Sequence, residues 1–233
     1  MTALKSILLL RPAKVTIPLR HLLLMSGVIA TLLFCGCASR ASWKKEAFAL
    51  VAASGETGSA AHTNILSLHR VTVSPLFEGQ PFVYRTGEDS FEHDPYAEFL
   101  VSPNRMLEQC MRTCLRNGHA FADVLDPGSG LKSSWAMEIA VSQLYGDFRQ
   151  PDKPVAVLQV SFLLYSAEPA ERGRVLWQDE FSRRLPIAHR TPAALVAGWN
   201  SGLQEIMGEA NAKLKQLAVP EARPTSIGTG SEE

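Results

Sequence analysis

Trp135-Ala136-Met137-Glu138-Ile139-Ala140-Val141-Ser142 puts Trp135, Met137, Ile139 and Val141 on one side of an extended chain, and Ala136, Glu138, Ala140 and Ser142 on the other. Successive side chains of a strand point to opposite faces, so this alternation predicts a sheet packed on one face. The strand is predicted over residues 134–145. Pro151-Asp152-Lys153-Pro154 is a turn. The next strand, 155–165, has Ala156, Leu158, Val160, Phe162 and Leu164 on one face and Val157, Leu163 and Tyr165 on the other, which predicts a central strand covered on both sides. A third, 175–185, turns Val175, Trp177, Phe181 and Leu185 inward and Gln178, Glu180, Ser182 and Arg184 outward. Short turns between such strands predict an α+β fold: an antiparallel β-sheet with two α-helices packed on one face, plus a small β-hairpin.

The first helix is expected to open at Ser102-Pro103, with Ser as N-cap and Pro at the first position. Met106, Leu107, Cys110, Met111, Cys114 and Leu115 form its apolar stripe, and Asn117-Gly118 is the stop. The second opens at Thr191-Pro192 and carries Leu195, Trp199, Leu203, Ile206, Ala210, Leu214 and Leu217 at steps of three and four. Gly198, Gly202 and Gly208 lower its intrinsic propensity, so it is expected to depend on docking against the sheet.

Ahead of the first helix, residues 65–74 read as a strand with Ile65, Val71 and Val73 on one face and Leu66 and Leu68 on the other. His69 is expected to be packed or hydrogen-bonded. Residues 82–85 and 91–94 read as the small hairpin, closed by a polar turn. Tyr84, Arg85, Asp94, Tyr96 and Phe99 concentrate aromatic and charged groups here. The mixture suits a partner-binding surface; it equally suits aromatic groups closing one end of the core.

At the N-terminus, residues 1–21 carry Lys5, Arg11, Lys14 and Arg20 and no acid, and the run from Leu22 to Phe34 is mostly apolar. That length fits a secretory signal and falls short of a membrane span. Leu32-Leu33-Phe34-Cys35-Gly36-Cys37 looks like a lipoprotein cleavage site. Cys37 is the expected lipidated residue, because small Gly36 precedes it whereas Phe34 precedes Cys35. Two or three acyl chains, palmitate among them, would anchor the chain firmly. The alternative is an uncleaved anchor or plain secretion. Ala38-Ser39 after the cysteine lacks the Asp that retains lipoproteins at the inner membrane, which favours the outer membrane. The expected organisation is signal peptide 1–36, lipidated Cys37 with a flexible tether to residue 63, folded domain 64–217 and disordered tail 218–233.

The 23 basic and 23 acidic residues of the whole chain become 19 and 23 without the signal, a balance unlike that of a nucleic-acid-binding surface. Cys110 and Cys114, one helical turn apart, read as buried small apolar groups, since no further ligand stands at a metal-site spacing. No G-x-S-x-G, H-E-x-x-H or phosphate-cradling Gly-rich loop occurs. The expectation is a protein that is not an enzyme and needs no cofactor and no metal.

Phe77-Glu78-Gly79-Gln80-Pro81-Phe82-Val83-Tyr84-Arg85 and Tyr96-Ala97-Glu98-Phe99-Leu100-Val101-Ser102-Pro103 resemble the corresponding segments of the ABC-type transport auxiliary lipoproteins, the PqiC-like family. The likeness covers about residues 64–217. Tyr96-Ala97-Glu98-Phe99 stands where many relatives carry a Trp-containing segment. The resemblance implies an accessory subunit that docks on an MCE-domain (MlaD-like) periplasmic ring protein with its permease and ATPase, often as a homo-oligomer. Such systems move lipids or other hydrophobic molecules between membranes. Two further readings stand beside it: a periplasmic lipid carrier with a pocket between the long helix and the sheet, and an envelope-assembly lipoprotein bracing an outer-membrane barrel.

Overall fold

In a computed structural model, residues 44–51, 58–126 and 128–217 are described; Cys37, the signal and the tail lie outside them. The strands are β1 (Glu46–Phe48), β2 (Ile65–Val73), β3 (Pro81–Arg85), β4 (Phe91–Phe99), β5 (Asp123–Leu125), β6 (Trp135–Asp147), β7 (Val155–Ser166) and β8 (Val175–Pro186). The helices are α1 (Pro103–Asn117) and α2 (Pro192–Lys215).

β6 is the axis of the sheet. One edge pairs along its length with β7, antiparallel, and β7 pairs with β8 in the same way. The other edge is shared in succession by β2 and β3, both parallel to β6. Beyond them lie β5, parallel to β2, and the chain β3–β4–β1, in which β1 runs parallel to β4. The sheet is therefore mixed, not antiparallel. Its antiparallel half is the one expected, because tight turns join β6, β7 and β8. Its parallel half arises because β2 reaches β5 and β6 only after α1, and a strand that returns after a helical crossover comes back parallel. Alternation reports which face is buried and not the direction of the neighbour.

Two bulges set the faces. Register shifts between Leu68 and Arg70, so Leu66 and Leu68 share the core face with Val71 and Val73 instead of opposing them. A second shift, between Val141 and Gln143, moves the core face of β6 from Ile139 and Val141 to Leu144 and Gly146. An extra residue reverses the alternation beyond it, which periodicity cannot anticipate. β7 is central, but covered fully on one face only: Gln159, Ser161, Leu163 and Tyr165 are half-buried. On β8, Phe181 is buried and Trp177 and Leu185 half-buried, whereas Val175 is exposed.

The helices touch each other and the sheet where glycine allows it. At Gly198 a Cβ would lie 2.6 Å from the Ala156 Cβ, and at Gly202 3.1 Å from Leu185. These glycines lower helix propensity and let α2 lie directly on β7 and β8. The contact is close at these two glycines. Gly118 has φ −74° and is no left-handed stop. It is small because the Asn211 side chain would lie 2.2 Å from its Cβ, and Asn211 Nδ2 donates to the Cys114 carbonyl at 3.1 Å. Thr191 Oγ1 accepts from Ala194 N, whereas Ser102 makes no such bond.

Within the stretch read as a tether, Glu46–Phe48 is a strand. Phe48 packs on Phe82 with centroids 5.5 Å apart, and Leu50 is buried, its amide donating to Met106 Sδ at 3.1 Å. His62, also within it, is buried with Nε2 2.8 Å from the Leu214 carbonyl at the end of α2. Apolar Phe48 and Leu50 gain by burial what their fixed backbone costs.

Candidate functional site

The β3–β4 hairpin carries the residues expected to meet a partner, and they separate into three roles. Between His93 and Glu98, β4 bulges away from β3: Val83 faces His93, yet Pro81 faces Glu98. Asp94 holds this bulge. Its Oδ1 accepts from the amides of Tyr96 and Ala97 at 2.7 and 2.9 Å, and its Oδ2 accepts from Tyr84 Oη at 2.5 Å. Burial, then the bond to Asp94 and its charge, push the Tyr84 phenol far above its ordinary value. The Tyr84 ring stacks on Phe148 at 4.7 Å, and the Arg190 guanidinium sits 4.7 Å from the centre of that ring.

Arg85 closes the hairpin turn. Its Nε donates to the Glu88 carbonyl at 3.1 Å and its Nη2 donates to the same oxygen, with the guanidinium 5.7 Å from the centre of the Phe91 ring. Phe99 is a core residue, 2% exposed, against Phe82 at 4.6 Å and Trp199 at 5.5 Å. Tyr96, by contrast, is 47% exposed, and Leu100 and Val101 beside it are 62% and 44% exposed. The five expected residues thus share one segment, but Tyr96 alone among them is turned to solvent to that degree. Leu100 and Val101 lie in the 96–103 segment that carries the family resemblance, although by composition alone an apolar pair before a helix reads equally well as core.

A charged cluster absent from the sequence reading sits at the same end of the sheet, where Arg85 is in register with Asp147. Asp147 is buried at the end of β6. Arg149 Nε and Nη2 clasp its two oxygens at 2.9 and 2.7 Å, and Arg184 Nη2 reaches Oδ2 at 2.6 Å. Arg149 above all, then Arg184, holds the carboxyl well below the usual carboxylate range, against the opposing effect of burial. Asp147 and Arg184 stand 37 residues apart in sequence, too far for any local motif to join them.

Elsewhere, His69 Nδ1 lies 2.7 Å from Tyr165 Oη, and Tyr165 donates to Glu138 at 3.3 Å. Cys110 and Cys114 are buried, and burial pushes the Cys110 thiol up to about 11, far from a reactive thiolate. Among the described residues no His, Cys, Asp and Glu group is placed to hold a metal, and no helix is long and apolar enough to cross a membrane.

Residues 48–210 match the model of a family described as the ABC-type transport auxiliary lipoprotein component. Among solved structures, the fold is similar to that of protein XCC0632 from Xanthomonas campestris, of the DUF330 family. The TM-score is 0.62 at 16% identity, over 71% of this chain and 92% of that one. It is also similar to an uncharacterized protein at TM-score 0.58 and 13% identity, covering 73% of this chain and 99% of that one. At these identities the likeness is one of fold. No curated protein matches the chain in sequence.

Proposed function

The chain belongs to the ABC-type transport auxiliary lipoprotein family, and from that premise we propose that it is the non-catalytic docking subunit of an MCE-type transporter moving lipids or other hydrophobic molecules across the periplasm. In this reading Cys37 is acylated and holds the protein on the periplasmic side of the outer membrane. The folded part meets the periplasmic ring protein, which works with a permease and an ATPase, and does so singly or as a homo-oligomer.

The observation that carries the docking role is the construction of residues 81–101. Tyr84, Asp94 and Arg85 spend their polar groups on the hairpin itself, and Phe99 pins it to the core from below. On that fixed frame Tyr96, Leu100 and Val101 face outward. A rigid aromatic and aliphatic patch gives up little conformational entropy on association, which is what a binding surface requires. Tyr96 would touch the partner; Tyr84, Arg85 and Asp94 would hold the shape it recognises.

The anchor and this surface are close along the chain. Eight residues, 38–45, separate Cys37 from β1. β1 is itself paired to β4 beside Phe99.

Crosslinking in native membranes, followed by capture and mass spectrometry, tests the proposal. An MCE-domain protein among the crosslinked partners is expected. Recovery of a barrel protein, or of copies of this chain alone, would overturn it.

A further inference from the structure

Beside the hairpin, where β6 ends, β7 begins and β8 ends, the surface opens into a cavity of about 620 Å³. Its charged lining is Asp147, Arg149, Asp152, Lys153 and Arg184, three cations against two carboxylates. Pro154, Val155, Pro186 and Ile187 supply an apolar wall.

The arrangement of the charges matters more than their balance. Both oxygens of Asp147 are committed to Arg149 and Arg184. Asp147 therefore offers nothing to a cation and serves to hold two guanidinium groups side by side. Both stay open to water, with side-chain exposures of 38% and 49%. Arg149 uses Nε and Nη2 on Asp147. Lys153 at the adjacent turn is exposed. Guanidinium forks match the geometry of oxyanions, and a pair already fixed by a buried carboxylate loses little freedom on accepting one. Three donors of positive charge about one opening suit a phosphoryl group better than a single carboxylate.

We propose that this cavity is a binding site for a phosphoryl group, with Arg149, Arg184 and Lys153 as its donors and the Pro154–Ile187 wall receiving the organic part of the ligand. The ligand is a phosphate ester of lipid-headgroup size or free phosphate, two sources of one chemistry. The site does not depend on the transporter reading, so either can fail without the other.

The test is calorimetric titration of the full chain in a non-ionic detergent with dihexanoylphosphatidylglycerol and, separately, inorganic phosphate. Dihexanoylglycerol, which lacks the phosphoryl group, is the control. Binding of the phosphatidylglycerol, absent with the control, is expected. Displacement by inorganic phosphate would assign the site to phosphate itself; failure of phosphate to displace it would assign it to a lipid headgroup. Lys153→Ala and Arg184→Gln are each expected to weaken binding about tenfold. Lys153 lies on an exposed turn, so its variant keeps the test valid should Arg184→Gln misfold. No binding of either anion, or binding undiminished in Lys153→Ala, would overturn the proposal.

Discussion

Arg184 on β8 reaches past β7 to place Nη2 2.6 Å from the carboxylate of Asp147 on β6. This ion pair ties together strands that share no hydrogen-bond ladder. Removing the carboxylate leaves Arg149 and Arg184 facing each other without their counter-charge. Breaking a buried pair from one side costs about 3–5 kcal/mol, and the partial exposure of both arginines lowers that here to about 1–3 kcal/mol. Asp147→Asn is therefore expected to lower the unfolding midpoint in urea. The pH dependence has a definite sign. The folded-state value lies below the ordinary 3.8, so the stabilisation is fully present above about pH 4 and is lost as pH falls below it. Urea unfolding of both proteins at pH 6 and pH 3 checks this: their difference should shrink at pH 3.

Gly198 and Gly208 lie on the same helix and should respond to alanine in opposite directions. Alanine favours the helix by about 1 kcal/mol at either site. At Gly208 nothing lies within 4 Å of the new Cβ, so Gly208→Ala should stabilise by up to about that amount. At Gly198 the Cβ would meet Ala156 at 2.6 Å, so α2 must lift from β7. Overpacking of this kind costs about 1–3 kcal/mol and outweighs the gain in propensity. Thermal melts of the two variants should move apart.

How far the chain was legible follows from the range of each signal. Trp135 to Val141 alternates because local geometry demands it, and the core face of β6 followed directly up to Val141. Beyond it the bulge before Gln143 reversed the pattern, and nothing in single-residue chemistry marks a bulge. Both helices were readable from Pro103 and Pro192 with their apolar stripes. The parallel pairing of β2 with β6 was not, since direction is set by the chain's route through α1. In the hairpin, composition showed that Tyr84, Arg85, Asp94, Tyr96 and Phe99 belong together, but could not separate Phe99, turned to the core, from Tyr96, turned to solvent. Asp147, Arg149 and Arg184 were illegible as a site because pairing across three strands brings them together.

Phe99 and Leu100 are neighbours in sequence with opposite expected behaviour. Phe99→Ala removes a ring packed on Phe82 and Trp199 and should cost about 3–5 kcal/mol, enough to unfold a marginal domain. Leu100 is 62% exposed, so Leu100→Ser should change stability by no more than about 0.5 kcal/mol. If residues 96–101 meet the transporter, Leu100→Ser and Tyr96→Ser should reduce crosslinked recovery of the ring protein at unchanged melting temperature. A loss of recovery that tracks thermal stability instead would favour a purely structural role for the segment.

Cys35 and Cys37 provide the sharpest test of the anchor. The residue before Cys37 is Gly36, small enough for a signal peptidase subsite, and the residue before Cys35 is Phe34, which is not. Cys37→Ala should abolish labelling by radioactive palmitate and free the protein from membranes washed at high salt, because two or more acyl chains are what hold a lipoprotein stably. Cys35→Ala should keep both the label and the membrane fraction. The folded part begins at β1, beyond either cysteine, so neither change should alter its cooperative unfolding. A Cys37→Ala protein that still pelleted after the high-salt wash would show that something other than this acyl anchor holds the chain. Loss of labelling in Cys35→Ala alone would move the lipidated position by two residues.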